Sequence, residues 1–118
     1  VLTEDTRDEH LAFHNFEWLA SGVESLGTEM PEMRNRLVRL PVTLDDFPLY
    51  TGAQRYEDWE RDLLNHVERH AYTAIGLHDC YSHLWLVNYP QLLDRLGSAA
   101  RLCTFDELSA EVIIGAAV

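Results

Sequence analysis

His78 and Asp79 follow a short apolar run, Ala74-Ile75-Gly76-Leu77, and Asp45 and Asp46 follow another, Leu37 to Leu44. Runs of this kind read as strands, and functional side chains in parallel α/β folds sit where strands end at the carboxyl face. A histidine and a carboxylate on adjacent strand ends can face each other across one pocket. The carboxylate would raise the imidazole's pKa and hold it protonated, which equips His78 as a general acid. The structural alternative is a half-buried histidine bonded to a loop carbonyl.

Other side chains could do chemistry but have simpler explanations. His66 and His70 lie one helical turn apart and could reach one metal, yet they flank the stripe of an ordinary amphipathic helix. His10, His14 and Glu17 would share a solvated helix face able to take adventitious zinc. Thr104-Phe105-Asp106-Glu107 reads as a helix capping box. Of the three tryptophans, Trp59 fits a helix core. Trp85, in an aromatic loop with Tyr81, His83 and Tyr89, is the better candidate for a substrate wall. Cys80 and Cys103 make neither a disulfide framework nor a metal knuckle and are expected as reduced core thiols, with a single bridge between them as the alternative.

The elements that must position these groups follow from periodicity. A helix is expected from about Arg7 to Leu26, opened by a Thr6/Glu9 capping box, striped by Ala12, Phe16, Leu19, Val23 and Leu26, and stopped at Gly27. The strand Leu37 to Leu44 contains Pro41, which suits an edge or an irregularity. Asp45-Asp46-Phe47-Pro48 ends it, and a loop runs through Gly52. A second helix, Tyr56 to Ala71, places Tyr56, Trp59, Leu63, Val67 and Ala71 on one face, with Glu57 and Arg61 able to pair on the other. Ala74 to Leu77 reads as a buried strand of a parallel sheet. Asn88 should cap a helix with Pro90 in its first turn and Gly97 at its end. A last strand, about Ala100 to Cys103, leads into the helix capped by Thr104 and Glu107. This α-β-α-β-α-β-α order implies an α/β fold of alternating helices and parallel strands in a single domain. Three strands leave open sheet edges, so self-association is expected.

Composition narrows the partners. The chain has 118 residues, 47% of them hydrophobic, which is enough for a core. Nine basic residues, all arginine, face 20 acidic ones for a net charge of -11. Such a surface repels phosphate backbones and anionic lipid, which argues against nucleic acid. No apolar run approaches the roughly 20 residues that span a bilayer, and the acidic start, VLTEDTRDEH, lacks the order of a signal peptide. A cytoplasmic location is therefore expected, for a chain that begins with Val and reads as processed or partial.

The stretch from Leu40 to Tyr50, LPVTLDDFPLY, followed by Ile75-Gly76-Leu77-His78-Asp79, resembles the late part of bacterial polysaccharide deacetylases (the NodB-type carbohydrate esterases). Tyr89 to Leu93 and Cys103 to Leu108 are similar to that domain's ending, so the likeness covers about Leu37 to Val112. It implies a sector of a distorted (β/α) barrel and hydrolysis of N-acetyl groups on carbohydrate, or of a small amide. A divalent metal, zinc or similar, would be held by an Asp-His-His triad, with a second Asp as base. Carried onto this sequence, His78 is the acid that protonates the departing amine, Leu77 lines the acetyl pocket, and Asp45 or Asp46 tunes His78. Asp79, Tyr81 and Trp85 are the further substrate-contact candidates. The family's opening Thr-Phe-Asp-Asp strand, His-x-x-x-His and Arg-x-Pro motifs are not found, so no metal ligand is assigned. Hydrolysis by this chain alone is not expected. A catalytically dead deacetylase-like binding domain and an unrelated acidic α/β interaction protein remain the alternatives.

Overall fold

The computed structural model describes residues 4–117, with side chains described for 7–116. Its contacts divide the chain into two compact units, Val1–Val42 with Cys103–Val118, and Thr43–Leu102, where length had suggested one domain.

The first unit contains α1 (Glu4–Phe13), β1 (Trp18–Gly22), α2 (Val23–Leu26), β2 (Glu32–Arg34), β3 (Leu37–Val42) and α6 (Phe105–Ala117). The long helix expected over Arg7 to Leu26 is therefore broken. Asn15 takes a left-handed backbone conformation (φ 66°), and Trp18 to Gly22 then pair in parallel with Val38 to Val42. The apolar spacing fits a helix, but a non-local ladder claims the segment. The expected stripe fails with it: Phe16 is 57% exposed while Leu26 is buried. Gly27 stops α2 as expected, at φ 71° with its N–H on the Val23 carbonyl. Thr6, expected as a cap opposite Glu9, lies within α1, and its side chain falls outside the described residues.

β3 is not an edge strand but the centre of a mixed sheet ordered β1-β3-β2. Pro41 is tolerated beyond the last residue paired with β2, which ends at Glu32 opposite Arg39. The β2–β3 hairpin turns on Asn35 and Arg36, both with positive φ, the backbone pattern of a two-residue primed turn. Leu37, Val38 and Leu40 are fully buried, and so is Arg39. Arg39 meets Asp8 at 3.3 Å and Glu32 at 3.2 Å. The expected strand over Ala100 to Cys103 is absent. The capping box does form: Thr104 N–H donates to Glu107 Oε1 at 3.0 Å, and Glu107 N–H to Thr104 Oγ1 at 3.1 Å. Among the described residues no helix is long and apolar enough to cross a membrane.

The second unit contains β4 (Leu44–Asp45), α3 (Phe47–Thr51), α4 (Tyr56–Arg69), β5 (Ile75–Gly76), two 3-10 turns (Asp79–Leu84 and Leu86–Asn88) and α5 (Tyr89–Ala99). The Leu37–Leu44 run is thus divided at Thr43, whose hydroxyl donates to the Ala74 carbonyl at 3.0 Å and accepts from Ala74 N–H at 3.1 Å. That exchange starts a second sheet, in which β4 and β5 pair in parallel, Leu44 opposite Ile75 and Asp45 opposite Gly76. Residues expected as loop form α3 instead, because Pro48 suits a first helical turn and Gly52 (φ 76°) caps its end.

Trp59 and Leu63 on α4 pack with Leu49 of α3 and with Leu92 and Leu96 of α5 to make the core. A fully buried leucine contributes about 1.5–3 kcal/mol through lost apolar surface. Ala71, expected on the same face, is exposed beyond the helix end, and Arg61 pairs with Asp58 rather than Glu57. Asn88 precedes α5 without a side-chain cap bond, and the helix runs through Gly97 to Ala99. The chain is an α/β protein with small parallel and mixed sheets.

Candidate functional site

The short parallel pairing of β4 and β5 brings their carboxyl ends to the same side, and this is what joins residues 32 apart in sequence. Asp46 N–H donates to the Gly76 carbonyl at 3.2 Å, which holds the Asp46 side chain near the chain that leaves β5. The second residue after β5 is His78. Its Nδ1 lies 2.6 Å from Asp46 Oδ1, and its backbone N–H donates to Oδ2 at 2.8 Å. Trp85 Nε1 donates to the same Oδ2 at 3.0 Å. Three donors therefore converge on one carboxylate with no exposed surface.

The electrostatics follow from this geometry. Burial alone would push the Asp46 carboxyl up, but the bonds from the His78 ring, the His78 backbone and Trp85 outweigh it and lower its pKa. An ionised carboxylate only accepts, so His78 Nδ1 must carry the hydrogen between them. The His78 pKa is raised, first by that hydrogen bond and further by the charges of Asp46, Asp45 and Asp79, against a smaller opposing effect of desolvation. The His78 side chain is 52% exposed. Its Nδ1 is committed and its Nε2 has no hydrogen-bond partner among the described residues. A fixed tautomer, a raised pKa and an accessible Nε2 together make a proton donor.

The remaining candidates take different places. Asp45 is exposed and does not bond His78; its Oδ1 accepts Phe47 N–H at 3.0 Å, and its carbonyl accepts Trp59 Nε1 at 2.9 Å. Of the two tuning candidates, Asp46 is the one in contact. Asp79 is exposed and accepts the Cys80 N–H at 2.7 Å. Leu77 is half-buried and packs against the core. Trp85 likewise leans on the core, with its indole N–H spent on Asp46 and its ring 5.3 Å from Tyr89. Tyr81 lies 5.2 Å from the His78 ring and stacks on Tyr50 at 4.5 Å and 17°. Burial first, then the charges around it, push the Tyr81 phenol up, so it stays a hydroxyl. Tyr50 was not a sequence candidate; nothing in its spacing marks a residue 31 positions from Tyr81 as its neighbour.

Cys80 and Cys103 are free and exposed, not core thiols, because each sits in a segment without strand or long helix. The deacetylase resemblance implies a metal, and the described residues do not fit one: no group of three or more His, Cys, Asp or Glu could hold an ion. Both oxygens of Asp46 are already taken. His66 and His70 stack ring on ring at 3.9 Å, with Nδ1 of the first against Thr73 Oγ1 at 2.8 Å and Nδ1 of the second against the His66 carbonyl at 2.9 Å. Glu17 falls beyond the end of α1, so it does not share a helix face with His10. Trp18 bonds Asp106 at 2.6 Å within the first unit.

Comparison with family models, with curated proteins and with solved structures gives no match at all.

Proposed function

We propose that this chain carries the proton-donating part of an amide deacetylase acting on N-acetylated carbohydrate, with β4 and β5 as neighbouring strands of a distorted (β/α) barrel sector. The observation that supports it is the Asp46–His78 pair, a buried carboxylate fixing an accessible imidazole of raised pKa. Nε2 of the imidazolium hands its proton to the amide nitrogen as the carbon–nitrogen bond breaks. The amine departs neutral, and the ring becomes neutral imidazole while Nδ1–H stays on Asp46. Water supplies the oxygen of the acetate. That part of the reaction, and the metal it calls on, is assigned to no residue here.

A second reading, a deacetylase-like domain that binds carbohydrate without cutting it, is favoured by the exposed Tyr50 stacked on Tyr81 beside His78. An unrelated interaction protein with structural histidines would more simply close the imidazole into a core, and this ring is half exposed.

The test starts with the imidazole. Its NMR titration should give a pKa above the ordinary value of about 6.5 and return toward it in Asp46→Asn. In a protein that contains the metal ligands, His78→Ala should slow acetate release from an N-acetylated oligosaccharide by about 10²-fold or more. Hydrolysis of an activated phenyl ester, whose leaving group departs without a proton, should suffer much less. An ordinary His78 titration, or equal amide hydrolysis in the variant, removes the assignment.

A further inference from the structure

The sheet of the first unit has two edges of different character. β2 forms one, with three residues, Glu32-Met33-Arg34, charged at both ends. A short, charged strand is a common protection of an edge against further pairing. β1 forms the other, with five residues, Trp18-Leu19-Ala20-Ser21-Gly22, and carries neither charge nor proline. Among the described residues its ladder partner is β3 and no other strand. β3 is buried from Leu37 to Pro41, whereas every residue of β1 is partly or fully exposed.

One hydrogen bond fixes which way the backbone groups of β1 point. Val38 N–H donates to the Glu17 carbonyl at 2.9 Å, and Val38 lies opposite Trp18. In a parallel ladder this turns the groups of Glu17, Leu19 and Ser21 toward β3. The N–H groups of Trp18, Ala20 and Gly22, with the Trp18 and Ala20 carbonyls, then point away from it. A second copy placed antiparallel about a two-fold axis at Ala20 presents the same row in reverse. Ala20 exchanges both of its bonds with its counterpart, and the Trp18 carbonyl accepts from the Gly22 N–H of the second copy.

The side chains suit this register. Trp18 faces Gly22 of the second copy, where a large ring covers the backbone that a glycine leaves bare. Leu19 faces Ser21, and Ala20 faces itself. Beyond the ladder, Glu17 and Glu24 fall toward Val23 and Phe16 of the second copy and not toward each other. The net charge of -11 therefore places no pair of carboxylates across the strands, where like charges would weaken pairing.

We propose that β1 is a dimerisation edge, at which two copies of this chain pair antiparallel, centred on Ala20, into one continuous sheet ordered β2-β3-β1-β1-β3-β2. The surface lies wholly in the first unit and uses no residue of the Asp46–His78 pair.

Sedimentation of the full 118-residue chain should show a dimer that dissociates on dilution. Ala20→Pro removes an N–H that β3 does not use and sets a ring at the centre of the edge, so it should leave a monomer. At Gly22 an added Cβ meets nothing within 4 Å. Gly22→Glu should therefore fold like the wild type, while its carboxylate against the second copy's indole weakens the dimer about 10-fold or more. Circular dichroism checks both folds; if Ala20→Pro does not fold, Gly22→Glu decides alone. The register is read by crosslinking after Cys80→Ser and Cys103→Ser remove the exposed thiols. In that background Ala20→Cys should link to its counterpart on mild oxidation, because facing Cα atoms about 5.5 Å apart are within disulfide reach. Ser21→Cys, which faces Leu19, should not. The dimer edge is overturned if the chain stays monomeric up to about 0.1 mM, or if a dimer forms and Gly22→Glu and any folded Ala20→Pro leave it at wild-type strength. Crosslinking through Ser21→Cys as readily as through Ala20→Cys overturns the register.

Discussion

Asp8 and Asp46 are the two buried aspartates of the described residues, one in each unit, with 1% and 0% exposure. Their partners differ in a way that separates structure from site. Asp8 meets Arg39, which is as buried as itself, and Arg7, which also reaches Ser25 at 3.2 Å. Arg39 in turn meets Glu32. Asp46 instead spends its hydrogen bonds on an imidazole that is half in water. A guanidinium is charged at any physiological pH and can only hold its place. An imidazole changes charge near neutrality and can pass a proton on. The same buried acid thus holds a fixed charge in one setting and a group able to change charge in the other.

The sharpest way to break this contrast is to remove the cation in the first unit. Arg39→Met leaves buried Asp8 with Arg7 as its remaining cation among the described residues, and should cost about 3–5 kcal/mol in urea unfolding. Pairing it with Asp8→Leu should restore much of that loss, because no fully buried charge is then left, and Arg7 and Glu32, which lose their partners, are both partly exposed to water. If the single variant unfolds like the wild type, the buried pair is not the tie it appears in its geometry.

Asp46→Asn should cost less, about 2–3 kcal/mol, the scale of hydrogen bonds to a charged acceptor. An amide cannot accept at both positions from all three donors. Unlike the first variant, this one should also change how stability depends on pH. The His78 pKa is raised on folding, so its contribution is complete below the unfolded value of about 6.5 and is lost as pH rises through the folded one. The Asp46 pKa is lowered, so its share is present above about 3.8 and is lost as pH falls through the folded value. The wild type should therefore lose stability as pH rises from about 6.5 through the raised His78 value, and the slope should flatten in Asp46→Asn and in His78→Gln. Arg39→Met should keep the slope. A wild-type profile that is flat over this range, followed by thermal unfolding, would contradict the pairing.

The contrast also shows what could be read from sequence. Two acidic residues after one apolar run, and a histidine after the next, were enough to bring Asp46 and His78 to neighbouring strand ends, because parallel pairing places carboxyl ends together. The choice between Asp45 and Asp46 was not legible. A one-residue change reverses which side chain turns inward, and β4 is only two residues long. The first unit was read worse. Trp18-Leu19-Ala20 satisfies helical spacing and strand propensity alike, and only its partner twenty residues later decides. β2, with the polar sequence Glu32-Met33-Arg34, carries almost no local pattern; a hairpin turn on Asn35 and Arg36 creates it. The bond from Trp85 to Asp46 spans 39 residues and has no periodic trace.

That bond supports the smallest effect and the finest distinction. Trp85→Phe keeps a ring against the core but removes one donor from Asp46, at about 1.5 kcal/mol, the low end for a bond to a charged acceptor. Relieved of that donor, Asp46 Oδ2 holds more negative charge, so the carboxylate favours the imidazolium more strongly. The His78 pKa should then rise slightly further, not fall. A tryptophan acting as a wall for sugar would behave otherwise: its loss would weaken binding of the N-acetylglucosamine tetramer and leave the imidazole titration where it was. Measuring both on the same variant decides which of the two Trp85 is. The hydrogen bond at 3.0 Å favours the first, since the indole's polar edge is anchored on the same carboxylate that holds the imidazole.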